Sequence, residues 1–190
     1  MKKWKQRVMA LVLVCAMVFG GLLPGTYSEV QAAENYGTLT SPGASGEALS
    51  VYGGSSNDGA ILYFWTNNNE DNQNWDFQIT DQTGEYRIAN KVTQKYIATA
   101  DETVGTTLVQ KTNDETDDKQ VWIFEATDTD SVYKIKNKAT GLYMTASGTT
   151  NEAQVKQQAS EDGNDLQLWT TAAVISVAAQ GRGSARRLSG

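Results

Sequence analysis

Between residues 36 and 173, apolar and polar positions alternate in short runs and never in long stripes. Tyr86-Arg87-Ile88-Ala89 and Tyr133-Lys134-Ile135-Lys136 begin apolar, polar, apolar, the two-residue period that gives a half-buried strand one wet and one dry face. Asn90-Lys91 and Thr140-Gly141 then supply turn chemistry ahead of Tyr96-Ile97 and Tyr143-Met144, so each stretch predicts a hairpin. Polar, glycine-bearing segments such as Gly53-Gly54-Ser55-Ser56-Asn57-Asp58-Gly59 lead to another short apolar run, a second polar loop and a closing strand. No window of a dozen residues carries an apolar stripe at a 3.6-residue period, so helices longer than a turn or two are not expected.

The closing strand carries the strongest pattern. Gln73-Asn74-Trp75, Gln120-Val121-Trp122 and Gln167-Leu168-Trp169 recur at intervals of 47 residues. The same shift pairs Tyr86 with Tyr133, Ile88 with Ile135, Asn90 with Asn137, Lys91 with Lys138, Thr93 with Thr140, Tyr96 with Tyr143 and Gln110 with Gln157. It sets Leu49 of a more divergent first unit against Tyr96, Leu62 against Val109 and Phe77 against Phe124. Three repeats of about four strands follow, at about 36–80, 81–126 and 127–173. One such unit cannot bury its apolar face alone, so the copies must close on one another. A propeller usually needs at least four blades, which leaves an all-β fold with pseudo-threefold symmetry, a β-trefoil. In it each Trp is expected near the axis, and each motif Gln, with two donors and an acceptor, is expected to bridge backbone groups where strands turn.

The ends of the chain differ in character. Lys2, Lys3, Lys5 and Arg7 precede the apolar run Val8 to Val18, which is shorter than a bilayer span and leads to Val30-Gln31-Ala32; residues 1–32 read as a signal peptide cleaved after Ala32. The trefoil domain is assigned to 33–177. Residues 178–190, basic and glycine-bearing without apolar period, read as a disordered tail. The expected mature chain is secreted, monomeric and free of cysteine, since the one Cys15 lies in the signal.

Composition then removes chemistry. No histidine is present, which excludes His-dependent catalytic triads and His metal sites. Residues 33–190 carry 12 basic against 21 acidic side chains, a net charge of −9, so nucleic acid and anionic membranes are poor partners. The acidic loops at 68–71 and 114–118 lack EF-hand spacing and read as solvated turns, so no metal or cofactor is expected. No carboxylate pair stands in a context suited to glycoside hydrolysis, and no enzyme activity is expected.

Three evenly spaced Gln-x-Trp motifs, with Gly59-Ala60-Ile61-Leu62 leading through Asn68-Asn69-Glu70-Asp71-Asn72 into the first, resemble the ricin B-type lectins, which include the family 13 carbohydrate-binding modules. The resemblance covers about 140 of the 158 mature residues. It implies a non-catalytic trefoil that binds galactose-, xylose- or arabinose-type sugars in up to three shallow pockets. Carried across at the 47-residue shift, the family's pocket aspartate falls on Ser50, Ile97 and Met144, its stacking aromatic on Trp65, Thr112 and Ala159, and its asparagine on Asn72, Lys119 and Leu166. Its accessory glutamine falls on Tyr63, Gln110 and Gln157. Only the first repeat keeps an aromatic ring and an asparagine, so Trp65, Tyr63, Asn72 and Ser50 are the candidate sugar-binding residues. With every carboxylate gone, binding of a neutral glycan is expected to be weak. The alternative is a degenerate trefoil scaffold that binds a protein partner and no sugar.

Overall fold

The computed structural model describes residues 35–177. The signal peptide, its cleavage site and the C-terminal tail lie outside the described residues. Thirteen short strands and four 3-10 turns make up the described part, and no α-helix occurs among these residues. The first repeat holds β1 (Tyr36–Thr38), β2 (Thr40–Ser41), β3 (Ala44–Val51), β4 (Leu62–Thr66) and β5 (Asn74–Ile79). The second holds β6 (Glu85–Asn90), β7 (Tyr96–Thr99), β8 (Leu108–Lys111) and β9 (Trp122–Ala126). The third holds β10 (Val132–Asn137), β11 (Tyr143–Ala146), β12 (Val155–Gln158) and β13 (Leu168–Thr170).

Strand pairing runs β1-β5-β6-β9-β10-β13-β2, and all the pairs are antiparallel. Because β1 and β2 are one segment interrupted only at Leu39, this path closes into a six-stranded barrel. Closure leaves no free sheet edge in the ring. The remaining strands form the hairpins β3–β4, β7–β8 and β11–β12. Single bridges Ile61↔Val109, Thr107↔Lys156 and Tyr63↔Gln154 link these hairpins pairwise, one bridge for each repeat boundary. The arrangement is a β-trefoil.

Trp75, Trp122 and Trp169 are fully buried in one hydrophobic core with Leu49, Leu62, Ile88, Leu108 and Ile135. Their indole N–H groups donate to the carbonyls of Leu49, Ile97 and Met144 at 3.1, 2.9 and 2.9 Å. The motif residues are thus structural, each indole tying its barrel strand to its own repeat's hairpin. Ring contacts across repeats fall instead to phenylalanines: Phe77 on Phe124 at 6.0 Å and Phe64 on Trp169 at 5.6 Å.

The motif glutamines are also buried. Gln73, Gln120 and Gln167 accept from the amides of Asn68, Asp114 and Glu161 and donate to the carbonyls of Thr66, Thr112 and Ala159. Each one satisfies backbone groups that the turning chain leaves unpaired. Asn90 and Asn137 do the same at the barrel: their amides donate to the carbonyls of Asn72 and Lys119, and their side-chain oxygens accept from two amides of the following turn. Asn137→Leu strands these buried groups and is expected to cost about 1–3 kcal/mol, read as a lower urea midpoint at unchanged m-value.

Three carboxylates brace loops in a similar way. The Asp58 carboxylate pairs with Lys95 and accepts from the Thr112 amide, Asp101 accepts from Thr106 and Thr103, and Asp114 accepts from Thr116. These bonds hold all three carboxyls below the ordinary value of 3.8, with Lys95, Thr106 and Thr116 the largest influences. A carboxyl depressed in the folded state stabilises above its unfolded pKa and loses that contribution as pH falls through the folded one. The amide resonances of Thr103, Thr112 and Thr116 are therefore expected to titrate with midpoints below 3.8 in an NMR series.

Candidate functional site

The indole and glutamine contacts fix which residues correspond between repeats. Since the three indoles bond to Leu49, Ile97 and Met144, the position after them holds Ser50, Ala98 and Thr145. The constant 47-residue shift misplaces it in the second and third repeats, where Ile97 and Met144 are core residues. On β4 and its counterparts, Thr66, Thr112 and Ala159 receive the glutamine amides, at separations of 7, 8 and 8 residues. The bridges Ile61↔Val109, Thr107↔Lys156 and Tyr63↔Gln154 make Tyr63, Val109 and Lys156 equivalent, so Trp65 corresponds to Lys111 and Gln158, and Phe64 to Gln110 and Gln157. The first repeat has two more residues between β3 and β4 (Leu49 to Phe64, against Ile97 to Gln110 and Met144 to Gln157) and one fewer between β4 and its motif glutamine, so a shift of 47 slips in opposite directions on the two strands. Neither correction restores a carboxylate or an aromatic ring to the second or third repeat.

The accessory glutamines prove to be loop braces. Gln110 is buried, donates to the carbonyls of Ser55 and Asn57 and accepts from Thr93. Gln157 repeats this with Asp101, Thr103 and Thr140. Phe64 at the same place has no amide to offer and packs against Trp169.

The structure brings Ser50, Tyr63 and Trp65 together on the β3–β4 hairpin, and ties the 3-10 turn that carries Asn72 to it through Gln73. Cross-strand register sets Ser50 opposite Tyr63 and Ala48 opposite Trp65. Alternation along β4 then puts Tyr63 and Trp65 on the same face, with ring centroids 5.9 Å apart. Ser50 is only 1% exposed, and its hydroxyl donates to the Ala48 carbonyl while accepting from Gln73. Thr145 is occupied similarly, by the Tyr143 carbonyl and Gln167. Asn72, in the 3-10 turn Asp71–Gln73, is half-buried, and its side-chain oxygen lacks a hydrogen-bond partner.

Trp65 is 39% exposed and Tyr63 only 9%. Burial raises the Tyr63 phenol above its ordinary value of 10, with the Gly53 backbone pulling the other way; Tyr63 therefore stays neutral in ordinary buffers, able to donate and accept. A residue the sequence did not single out completes the cluster: Tyr52, 54% exposed, meets Tyr63 edge-on at 5.2 Å. Two exposed rings thus flank a buried one.

The third repeat holds this platform in place. Phe64 exchanges backbone hydrogen bonds with Ala153 and Glu152, both 2.8 Å. The amide of Thr66 donates to Asn151 at 2.6 Å. Trp65 lies between these anchored residues, so its backbone is fixed before any ligand arrives, which limits the entropy lost on binding. Among the described residues, no group of three or more His, Cys, Asp or Glu is placed to hold a metal ion, and no helix is long and apolar enough to cross a membrane.

Comparison with known proteins places these features in context. The family described as ricin-type beta-trefoil lectin domain-like matches the chain three times over, at residues 27–111, 71–157 and 118–187. No curated protein matches it by sequence. Among solved structures, the designed threefold-symmetric protein ThreeFoil is similar with a TM-score of 0.67 at 23% identity, over 74% of this chain and all of that one. A Polyporus squamosus lectin, solved with Neu5Aca2-6Galb1-4GlcNAc bound, follows at 0.65 and 20%, over 74% of this chain and 49% of its own. An exo-beta-1,3-galactanase from Clostridium thermocellum gives 0.66 and 25%, with 74% of this chain matching 30% of that enzyme. The last two matches leave half or more of the neighbour's length without a counterpart here.

Proposed function

Because the chain belongs to the ricin-type β-trefoil lectin domain-like family, we propose that it is a secreted, non-catalytic, monomeric glycan-binding module whose working site is the first repeat. The observation that carries this reading is Trp65: an exposed indole on an anchored strand, flanked by Tyr63, where the matching positions hold Lys111 and Gln158. An exposed ring on a fixed backbone suits the C–H face of a neutral pyranose or furanose, as in galactose-, xylose- or arabinose-containing polysaccharides. Asn72, in the turn that Gln73 ties to the hairpin, is assigned a further hydrogen bond to the sugar, and Ser50 acts indirectly, by seating Gln73.

With no carboxylate at the Ser50 position, charge-assisted bonds to sugar hydroxyls are missing there, and such bonds are roughly twice as strong as neutral ones. Affinity in the millimolar range, about −4 kcal/mol, is expected. Gels cast with soluble xylan, arabinan or galactan, together with a glycan array, test the proposal: the native protein is retarded by at least one polymer. Absence of retardation and of array signal for every glycan instead favours a scaffold that binds a protein partner. That reading draws on the spent hydroxyls of Ser50 and Thr145 and on Ala98. Export is checked by N-terminal sequencing of protein from the medium, with Ala33 expected first.

A further inference from the structure

A second polar concavity lies at the junction of the first and third repeats, where alternation along β3 turns Glu47 to the face opposite that of Ala48 and its partner Trp65. Thr40, Ser41, Ser45, Glu47, Asn67 and Thr170 contribute to the walls of a crevice of about 350 Å³, within the range of small-ligand sites. Glu47 sits in β3 opposite Thr66. One of its carboxylate oxygens is buried without a hydrogen-bond partner, and no ion pair among the described residues includes it. Burial with nothing in compensation holds its carboxyl above the ordinary 4.5. An unpaired buried carboxylate oxygen is costly in the free protein, and a donor brought from outside removes that cost.

The other walls define what the donor belongs to. The hydroxyls of Thr40 and Thr170 bond each other at 2.6 Å, which leaves one of the two protons to spare. Asn67 accepts from the Asn69 amide through its side-chain oxygen, which leaves its NH₂ group to donate. Ser41 is already committed, donating to the Asp165 carbonyl and accepting from Gly43. The crevice thus offers one strong acceptor, two kinds of donor and no aromatic wall. An anion meets Glu47 unfavourably, and an apolar ligand gains little. A compact neutral molecule with adjacent hydroxyls answers every group present.

We propose that this crevice is a second binding site, taking a single sugar residue or a free polyol whose hydroxyls donate to Glu47. It is independent of Trp65. Titration of ¹⁵N-labelled native protein with galactose, xylose, arabinose and glycerol, followed by amide shifts, is the test, with methylamine as the cationic control. At least one of the four neutral compounds is expected to shift Ser45, Gly46, Glu47, Asn67 and Thr170 in a saturable manner. Glu47→Gln is expected to weaken this binding about tenfold with the rest of the spectrum unchanged, and Trp65→Ala is expected to leave it intact. A sugar response separates a glycan site from a general polyol site, to which glycerol binds equally well. The proposal is overturned if the crevice amides stay still with all four compounds, if methylamine binds better than they do, or if Glu47→Gln binds as tightly as the native protein. A response confined to the surroundings of Trp65 overturns this proposal alone, whereas crevice binding with a silent Trp65 overturns the platform assignment alone.

Discussion

Trp122→Ala is expected to destabilise the protein by about 3–5 kcal/mol, the range for truncating a large buried aromatic side chain. Two losses combine. The indole is fully buried, so its removal forfeits apolar burial and opens a cavity in the shared core; its N–H also leaves the Ile97 carbonyl, 2.9 Å away, without its donor. Set against a total stability of about 5–15 kcal/mol, this approaches unfolding, and a fall in melting temperature of about 10–20 °C is expected by calorimetry. Trp122→Phe keeps a benzene ring in the core but loses the N–H bond and the five-membered part of the indole, so an intermediate loss of about 2–3 kcal/mol is expected. Trp75→Ala and Trp169→Ala should behave alike, because each indole makes the same bond in its own repeat. A melting curve unaffected by any one of them contradicts a single core shared by three repeats.

The equivalence of those three sites was open to inspection in the sequence because Gln-x-Trp serves both packing and polar satisfaction. Trp fills the core, Gln pairs the turn, and neither has a ready substitute, so both recur at constant spacing. Hairpin correspondence was less legible. The spacing from Thr66 to Gln73 is one residue shorter than its counterparts, and a loop absorbs such a change without disturbing the core, so a rigid shift of 47 slips there. Ser50 was legible as a pocket position, yet its capture by Gln73 depends on the 3-10 turn bringing the motif back over β3. Tyr52 lay hidden in a Tyr-Gly-Gly stretch that reads only as a turn; its position beside Tyr63 comes from the register of β3 and β4. Glu47 carried no signal at all, since an orphaned carboxylate is defined by what fails to surround it.

Trp65→Ala is expected to abolish glycan binding at the aromatic platform while lowering the melting temperature much less than the core truncations do. The two effects separate because the indole is 39% exposed and lies outside the buried core, touching Tyr63 at its edge; losing the apolar surface it still covers costs about 1–2 kcal/mol, less than a core indole does. Binding is different, since a central aromatic anchor in a small site is worth about 2 kcal/mol or more when truncated. A loss of that size is about thirtyfold and carries a millimolar ligand beyond detection. Trp65→Phe should retain part of the affinity through its remaining ring, and Tyr52→Ala should cost less than Trp65→Ala, because Tyr52 touches the cluster only through Tyr63. Intrinsic fluorescence reads the event directly: among the described tryptophans three are fully enclosed and Trp65 alone reaches solvent, so a saccharide that stacks there alters the emission of the native protein and not of Trp65→Ala. A saccharide that still shifts the amides of Tyr63 and Thr66 in Trp65→Ala at native affinity sinks the platform assignment but leaves the trefoil untouched, since the indole is not part of the buried core.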